Sequence, residues 1–467
     1  MRRRNPLAKR ENDLGRDPVG KLLLRLAIPT VTAQLVNALY NIVDRIYIGH
    51  IPEVGDLALT GLGVCFPVLM FVSAISALVG MGGGSRAVVR MGEGKEDQAN
   101  AILGNCTALL IALSVLVTAL FLAIKEPMLL LFGATEETIG FATDYLTIYL
   151  WGTIFVEISL GLNFFITSQG FSTISMATVL IGAVTNIVLD PVFIFGFNMG
   201  VKGAALATIT AQGVSAVWVL RFLTGKRTRL RLQRRHFRIN PKVLAPVVAL
   251  GVSPFIMNAT ESLVNVAFNA SLKAYGGTSA VGAMTICSSV LQIFFLLLQG
   301  IAQGAQPIIG FNYGAGKLDR VKKAFKLLLI SAFTSSCTAC LALELFPHAF
   351  VMLFNDKPEL VDLAVWALRI YVCGMFMLGI QTSCQQTFVA LGQAKISLFL
   401  ALLRKVILLL PLILILPRLI TGHQVMAVFL AEPVADILAA LTTGSMFLWR
   451  FPRILDRRRK ELEGKHA

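Results

Sequence analysis

The chain has 467 residues, of which 56% are hydrophobic and 15% are charged, whereas a soluble domain carries charge on about a quarter of its residues. This composition excludes an ordinary soluble enzyme and indicates a polytopic membrane protein. The formal net charge of +16 suggests a nucleic-acid partner, but the basic residues lie between apolar segments, so we expect no nucleic acid.

Apolar segments long enough to cross a bilayer, which takes about 20 helical residues, recur along the whole chain. They predict an all-α fold with twelve transmembrane helices. The predicted spans, numbered one to twelve, are 22–48, 57–80, 101–123, 139–165, 171–196, 203–223, 243–272, 280–303, 323–345, 360–388, 396–417 and 425–449. Because most are longer than the bilayer requires, we expect them to tilt or to extend beyond it.

Basic residues divide unequally between the segments that connect the spans. With the N-terminus inside, the inner segments carry 31 Lys and Arg and the outer loops carry five. By the positive-inside rule, this split predicts a cell-membrane protein with both termini in the cytoplasm. The expected parts are a cytoplasmic segment 1–21, a first lobe 22–223, a basic linker 224–242, a second lobe 243–449 and a basic tail 450–467. We interpret the linker as a topology signal that contacts anionic membrane lipid.

The second half of the chain repeats the first half. An offset of 222 residues carries Gly92, Gly94, Lys95, Tyr149, Gly170 and Gly200 onto Gly314, Gly316, Lys317, Tyr371, Gly392 and Gly422. Each half then holds six spans, so the two six-helix lobes should be related by a pseudo-two-fold axis along the membrane normal. The Gly-x-Gly-Lys segments lack the spacing of a phosphate-binding loop, and we predict tight turns there, after spans two and eight.

Span five carries an acid in an otherwise apolar run. Asn186 and Asp190 are four residues apart and therefore share one face of a helix. Pro191 follows and removes a backbone donor beside the acid. An acid in hydrocarbon is costly, and such residues mark ion or substrate paths in most membrane proteins. Alternatively, Asp190 belongs to a structural network between helices.

Other polar residues of the first lobe are expected at the same depth, in the outer half of the membrane. The predicted cation or proton site comprises Asn41, Asp44, Tyr145, Tyr149, Asn186, Asp190 and Thr208. Oxygen ligands of this kind suit protons or a hard cation such as sodium, at Asp44 and Asp190, and no other metal. Two acids in a low dielectric also resist ionising together, so the pair can hold a proton. Alternatively, these residues only satisfy one another.

The second lobe does not copy this site, because the repeat places Leu412 at the position of Asp190. A substrate-binding or second coupling region is predicted from Gln34, Asn37, Glu261, Asn265, Gln299, Gln303, Glu432 and Asp436. Alternatively, the glutamines join neighbouring helices. Arg404 and Lys405 of span eleven are interpreted as side chains that snorkel to the membrane surface.

These features together resemble the multidrug and toxic compound extrusion (MATE) transporters, in the bacterial branch that exports drugs. The resemblance extends from about residue 20 to 450. It rests on the two six-span repeats, the inner Gly-Glu-Gly-Lys turn, the motif Asn186-x-x-x-Asp190-Pro191, and Pro29 followed by Asp44-x-x-x-x-Gly49 in span one.

The resemblance implies a secondary antiporter that works by alternating access. It exports organic cations or amphiphiles in exchange for protons or sodium, needs no cofactor, and is expected to act as a monomer. The resemblance places the cation site at Asp44, Asn186, Asp190 and Thr208 and adds a second-lobe contribution from Glu261. Arg45 adjoins Asp44 and would disfavour a second cation if it faced the site, which favours protons slightly.

Two other functions remain open from the sequence. A flippase for a lipid-linked oligosaccharide, from a related fold, would need a strongly cationic central cavity, whereas the charges at membrane depth are mostly acids. A receptor or a membrane enzyme is the alternative from another class, but no His, Cys or Ser constellation at one depth supports catalysis.

The unequal distribution of Lys and Arg between the two sides of the membrane predicts which loops are accessible from each side. A cysteine placed in the linker 224–242 should react with a membrane-impermeant thiol reagent only from the cytoplasmic side, because 31 of the basic residues lie on that side. A cysteine placed near Lys202 or Arg418 should react only from outside. Labelling of the linker in intact cells would contradict the predicted orientation.

Overall fold

The computed structural model describes residues 12–354 and 357–464. Within these ranges the chain is helical throughout, with three π-helical and two 3-10 turns between the α-helices. Residues 1–11 of the predicted N-terminal segment, residues 355–356 and residues 465–467 of the predicted tail lie outside the described residues.

The first lobe contains spans one to six. Span one is a single helix, Val19–Gly49, and span four is bent by 57° between Trp151 and Thr153. The other helices are Gly55–Gly92, Glu96–Leu131, Ile139–Trp151, Thr153–Val156, Leu162–Ser168, Ser172–Pro191 and Gly200–Thr224, with π-helical turns at Glu157–Gly161 and Val192–Gly196. The π-turn after Pro191 begins where the proline ends the regular backbone hydrogen bonding.

The second lobe begins with the helical segment Pro241–Gly314, in which two helices, spans seven and eight, meet at a kink at Gly277. The predicted connection at 273–279 is confined to this kink, where Gly277 leaves helical geometry at φ 67°. The remaining helices are Leu318–Leu345, Pro347–Val351, Pro358–Val372, Leu378–Ala390, Ala394–Leu402, Leu410–Leu419 and Gln424–Glu463, with a π-helical turn at Leu403–Leu409 and 3-10 turns at Arg234–His236 and Met375–Met377.

The number of crossings agrees with the sequence. Among the described residues, nine helices are long and apolar enough to cross a membrane, and two bent helix pairs raise the number to eleven. The helical segment Pro241–Gly314 is long enough to cross twice, on either side of Gly277. The predicted all-α fold with twelve spans is therefore confirmed.

The two lobes repeat each other in detail. The bend of span four at Gly152 has its counterpart in the 41° bend of span ten at Gly374, at the same offset of 222 residues. Interhelical bonds also recur, since Cys65 Sγ donates to Ala142 O at 3.3 Å and Cys287 Sγ donates to Ala364 O at 3.9 Å. The duplication therefore preserved the packing of spans two and eight as well as the sequence.

Reciprocal contacts between the lobes show the two-fold relation. Gly92 of the first lobe packs so closely on the carbonyl oxygen of Phe311 that no Cβ would fit, and Gly314 of the second lobe packs in the same way on the carbonyl oxygen of Val89. Each residue of this pair is the repeat equivalent of a residue in the other. Such an exchange is the signature of a two-fold axis between equivalent surfaces, as the sequence predicted.

Tight turns follow spans two and eight, as predicted. Gly94 and Gly316 have φ of 74° and 72°, a left-handed conformation that favours glycine. These turns lie on the face of the molecule that we call the basic face, because it carries residues 12–18, 90–97, 225–240, 312–320 and 450–464. The basic face is the face predicted to be cytoplasmic.

The lobes are joined along a seam that reaches the basic face. At mid-depth, Gln34 Nε2 donates to Gln303 Oε1 at 3.2 Å and Thr30 Oγ1 donates to Gly300 O at 2.6 Å. Nearer the basic face, side chains from both lobes share one hydrophobic cluster, which includes Leu22, Leu26, Val88, Ile301 and Ile308. This face of the molecule is therefore closed.

The chain before span one also ties the lobes together. Asn12 Nδ2 donates to Gly170 O of the first lobe at 3.0 Å. Two residues further on, Leu14 O accepts a bond of 2.8 Å from Asn312 Nδ2 of the second lobe, and the Leu14 side chain is fully buried. Because its bonds reach both lobes, this segment must move when the basic face opens.

Towards the opposite face, spans one and seven are exposed. Leu39 and Ile42 of span one are 60% and 54% exposed, and Asn258 and Glu261 of span seven are also exposed. The lobes therefore separate in the half of the molecule that is remote from the basic face.

The basic linker is folded against the first lobe. Leu230 is fully buried, and Gln169 Oε1 accepts hydrogen bonds from the backbone nitrogens of Arg229 and Leu230 at 2.9 and 2.8 Å. Asp97 on span three pairs with Arg235 and His236. The linker therefore packs as part of the first lobe.

A charged cluster closes the seam at the basic face. Glu93 of the first lobe accepts from Arg458 of the second lobe at 3.0 Å, and from Arg90 and Lys95 at 2.7 and 3.0 Å. Partial burial acts to raise the pKa of Glu93, but hydrogen bonds from Lys95 and Arg90 and the charges of Arg90 and Arg458 lower that pKa from 4.5 to about 2. Because the pKa is depressed, the stabilisation is complete above about pH 4.5 and disappears only as pH falls through about 2.

Weakening this cluster should open the basic face. Ser85, which is 2% exposed and bonded across the seam to Gln306, is a suitable place for a thiol. In a Ser85→Cys protein, Glu93→Gln should raise the rate of thiol modification about tenfold, since a hydrogen bond to a charged group contributes about 1.5–3 kcal/mol. With Glu93 intact, the rate relative to that of a free model thiol at the same pH should stay constant down to about pH 4.5, because only the thiolate reacts and its concentration itself falls with pH.

Glu461→Gln is the matched control for this experiment. Glu461 also bonds Arg458, at 3.4 Å, but both residues belong to the second lobe. Equal effects of the two substitutions would show that the contact between Glu93 and Arg458 does not hold the lobes together.

Candidate functional site

Spans one and five bring two carboxylic acids together inside the first lobe. Asp44 is 8% exposed and Asp190 is fully buried, and their carboxyl groups approach within hydrogen-bonding reach. Asn186, one helical turn before Asp190, donates from Nδ2 to Asp190 Oδ1 at 3.1 Å and to Thr208 Oγ1 at 3.5 Å. Four of the predicted site residues therefore meet at one place.

Several oxygen atoms at this place lack a hydrogen-bond donor. Asp44 Oδ1, Asp190 Oδ2 and Asn186 Oδ1 are buried, and no donor among the described residues reaches them. Buried polar atoms without partners are costly and rare in folded proteins. Three acceptor oxygens in one buried cluster fit a proton or a hard cation such as sodium.

The two predicted tyrosines form one wall of the site. Tyr145 and Tyr149 are 2% and 5% exposed, and their rings stack with centroids 6.3 Å apart. The Tyr145 hydroxyl lies close to Thr208 and Asp44. The tyrosines therefore exclude water from one side of the acid pair.

A small cavity of about 40 Å³ adjoins the acid pair, beside Asn186 and Thr208. Its polar lining includes residues that the sequence analysis did not select, namely Tyr40, Ser159, Asn163, Gln212 and Ser215. About 10–15 Å³ of such space is enough for one water molecule, so the cavity can hold water or a small ion. Of these residues, the sequence could have indicated only Tyr40, because it lies four residues before Asp44 and therefore on the same face of the helix.

Two neighbours of Asp44 are placed differently from expectation. Asn41 is exposed and donates to its own helix, at Asn37 O, at 2.7 Å, so it does not face the acid pair. The Arg45 guanidinium lies 5.5 Å from the centroid of the Phe66 ring. The charge of Arg45 still acts on Asp44, so the slight preference for protons over sodium stays a prediction.

The second lobe contains a buried network of charges. Arg404 donates to Asp436 Oδ1 at 2.7 Å and to Glu432 Oε1 at 2.9 Å, and Lys405 donates to Glu261 Oε2 at 2.8 Å. The side chains of Arg404 and Lys405 are only 7% and 9% exposed. The interpretation that they snorkel to the membrane surface is therefore wrong, because each is held inside the lobe by acids on other helices.

The remaining predicted residues lie in three places. Glu261 and Asn265 of span seven are exposed, and the Glu261 side chain is 56% exposed despite its bond to Lys405. Gln34 and Gln303 bond each other across the seam, which is the joining role that the sequence analysis left open. Asn37 lines the small cavity of the first lobe, and Gln299 is half-buried near the seam.

Glu157 is a further buried acid that the sequence did not place in a site. It is 1% exposed, begins the π-helical turn Glu157–Gly161 and accepts a hydrogen bond of 3.0 Å from Ser76 Oγ. Its side chain is therefore tied to span two.

Two six-helix repeats that bury an acid pair between membrane helices define a membrane transport protein of the repeat class. Residues 29–192 and 254–415 match the MatE family model, which is more than half of the chain. The chain therefore belongs to the MatE family, a family of transporters rather than enzymes.

Individual relatives agree with this assignment. The chain is 23% identical over 428 residues to multidrug export protein MepA of Staphylococcus haemolyticus and 24% identical over 428 residues to MepA of Staphylococcus aureus, with 91% of this chain covered in both cases and 93% and 94% of those proteins. A crystal structure of MATE in complex with MaL6 matches 96% of this chain and 98% of that chain, with a TM-score of 0.87 at 22% identity. At this identity the structural likeness shows the fold.

The second-lobe network predicts unequal costs for removing its two cations. Arg404→Met should lower the free energy of unfolding by about 3–5 kcal/mol, because it leaves Glu432 and Asp436 buried without a cation. Lys405→Met should cost about 1 kcal/mol or less, because the half-exposed Glu261 regains water. Unfolding of the two variants in the same detergent, followed by tryptophan fluorescence, measures the difference.

Equal stability of the two variants would contradict this account of the network. A triple variant, Arg404→Met with Glu432→Gln and Asp436→Asn, should recover part of the loss, because it removes the unpaired charges together with their cation.

Proposed function

We propose that this chain exports organic cations or other amphiphilic small molecules in exchange for protons or sodium. The two lobes alternate between opening at the basic face and opening at the opposite face. The family and the names of the Staphylococcus relatives, which are multidrug export proteins, support drug export. The proposed orientation has the basic face in the cytoplasm of the cell that carries the protein.

The acid pair of the first lobe carries this proposal. Asp44 and Asp190 lie side by side at 8% and 0% exposure, and one oxygen of each lacks a hydrogen-bond donor from the described residues. A proton can be shared by the two carboxyl groups, and a sodium ion can instead be held with the oxygens of Asn186 and Thr208. Either ion removes the repulsion between the acids, so its binding changes how firmly spans one and five associate.

Span one connects this ion site to the seam between the lobes. Its Asp44 belongs to the ion site, whereas its Thr30 and Gln34 bond Gly300 and Gln303 of the second lobe. An ion that draws Asp44 towards Asp190 therefore acts on the same helix that holds the lobes together. Coupling needs only that the ion and the exported molecule favour different states.

The exported molecule is proposed to bind in the space between the separated halves of the lobes. Glu261 offers a half-exposed carboxylate there, and Asn258 and Asn265 lie on the same exposed side of span seven. A carboxylate and amides suit an organic cation with an apolar body. A monomer supplies all of these groups, so the proposal needs no second copy of the chain.

The flippase alternative receives no support from the buried cations. Arg404 and Lys405 are two buried basic side chains of the second lobe, and each is bonded to acids, with three carboxylates facing two cations. A pyrophosphate headgroup would need unpaired cations in a central cavity, so the paired network argues for cation export.

The decisive experiment uses proteoliposomes in which sodium and pH gradients are varied separately. Ethidium efflux should follow only one of the two gradients, which identifies the coupling ion. Asp190→Asn should reduce efflux at least about tenfold while the protein still folds, because Asn186 can still donate to a neutral amide oxygen. Addition of ethidium to the purified protein should release protons if the ion is a proton, and the Asp44→Asn, Asp190→Asn double variant should release none.

Asp144→Asn is the matched control, because Asp144 is a half-exposed acid on span four that pairs with Lys202 outside the site. It should transport at the wild-type rate. Glu261→Gln should impair transport less than Asp190→Asn does, because Lys405 already neutralises Glu261. Coupled efflux by Asp190→Asn at the wild-type rate would overturn the ion site, and a Glu261→Gln protein as inactive as Asp190→Asn would move that site to the second lobe.

A further inference from the structure

A cavity of about 380 Å³ lies at the basic face, where the two lobes meet. Its first-lobe wall includes Arg86, Arg90 and Glu93, and its second-lobe wall includes Tyr313 and four arginines of the last helix. These are Arg450, Arg453, Arg457 and Arg458, followed by Glu461. We call this cavity the seam pocket. Its volume lies within the range of about 300–1,000 Å³ found for small-ligand sites.

The seam pocket carries more positive charge than its own acids neutralise. Glu93 is already bound by Arg90, Lys95 and Arg458, and Glu461 is bound by Arg457 and Arg458. Among the described residues, no acid pairs with Arg86, Arg450 or Arg453. Arg86 is half-buried, so its charge is only partly solvated. The pocket therefore presents guanidinium groups from both lobes without counter-ions.

The position of the pocket identifies the source of a suitable anion. On the last helix, Leu448 and Trp449 are 78% and 52% exposed, and they end the apolar part of the helix. Arg450 and Arg453 follow directly, with their guanidinium groups 4.3 and 4.2 Å from the centroid of the Trp449 ring. An exposed Trp followed by arginines marks the boundary between the hydrocarbon and the lipid headgroups. The arginines of the pocket therefore lie at the depth of lipid phosphates.

We propose that the seam pocket binds the phosphate of an anionic phospholipid headgroup. Arg86 and Arg90 of the first lobe and Arg450 and Arg453 of the second lobe are its donors. Guanidinium groups bind phosphate oxygens through paired N–H donors, and basic pockets between membrane helices on the cytoplasmic side hold lipid headgroups. This site is separate from the ion site of the first lobe and does not depend on what the protein transports.

The bound headgroup should act on the conformational equilibrium. The donors come from both lobes, so the pocket exists in this form only while the basic face is closed. A ligand that binds one state better than another shifts the population towards that state. Anionic lipid therefore holds the basic face closed, in addition to the contact between Glu93 and Arg458.

Binding is tested with the purified full chain in neutral detergent by native mass spectrometry, with phosphatidylglycerol against phosphatidylcholine as probes. Arg86→Gln with Arg453→Gln should weaken phosphatidylglycerol binding about tenfold or more. Arg450→Gln with Arg453→Gln should do the same. Because this second pair removes only exposed arginines, a folding defect would not explain the loss.

Arg234→Gln with Arg238→Gln is the matched control. Both of these arginines are exposed on the same face, in the linker, and no described acid pairs with them. The control should bind phosphatidylglycerol like the unmodified chain. Equal loss in the control and the pocket variants would overturn the proposal, because it would show a general attraction to the basic face.

Two further measurements complete the test. Inorganic phosphate in excess should not displace phosphatidylglycerol, and displacement by phosphate alone would overturn the lipid as the source of the anion. In nanodiscs, phosphatidylglycerol should slow modification of the Ser85→Cys thiol about tenfold relative to phosphatidylcholine, and this effect should vanish in the pocket variants. An equal rate in both lipids would overturn the stabilisation of the closed face.

Discussion

The hydrocarbon of a membrane offers no water, so every buried polar group must find its partner inside the protein or carry the cost of lacking one. The two lobes meet this constraint in opposite ways. The second lobe pairs Glu432 and Asp436 with Arg404 and leaves its charges mutually neutralised. The first lobe leaves oxygen atoms of Asp44, Asp190 and Asn186 without donors. Among the described residues, the buried carboxylate oxygens that lack a donor therefore lie in the first lobe, where a proton or a cation can bind them.

The repeat shows where the lobes diverged. At the offset of 222 residues, Arg404 and Lys405 fall on Gly182 and Ala183, and both of these small residues line the cavity beside Asn186. Where the second lobe carries two fixed cations, the first lobe therefore has two small residues that line a cavity. In the second lobe, basic side chains neutralise the buried acids permanently. In the first lobe, the space beside Asp190 allows a counter-ion to bind and dissociate.

The sequence predicts what depends on composition, on depth along a span and on local backbone geometry, but it does not show which charged side chains pair between helices. Span number, the repeat and the turns at Gly94 and Gly316 follow from hydropathy and glycine spacing. The acid pair of Asp44 and Asp190 also follows, because depth along each span is readable from topology. The partners of Arg404 were not predictable, since its acids are 28 and 32 residues away on another helix. The Asn12 contacts were missed because short polar segments have no periodicity.

Span one contacts both lobes, and a straight helix cannot keep both sets of contacts in the two proposed conformations of the transporter. Asp44 associates with span five in the first lobe, while Thr30 and Gln34 bond the second lobe, and Thr30 lies ~21 Å from Asp44 along the helix axis. In the proposed transport cycle the lobes rotate apart at the basic face, so either the seam bonds break or the helix bends between these points and the basic end. Pro29 provides the place for a bend, because it lacks the N–H that Arg25 O would accept. In that cycle an ion at the acid pair keeps the far half of span one against span five, and we therefore propose that the movement occurs at the seam.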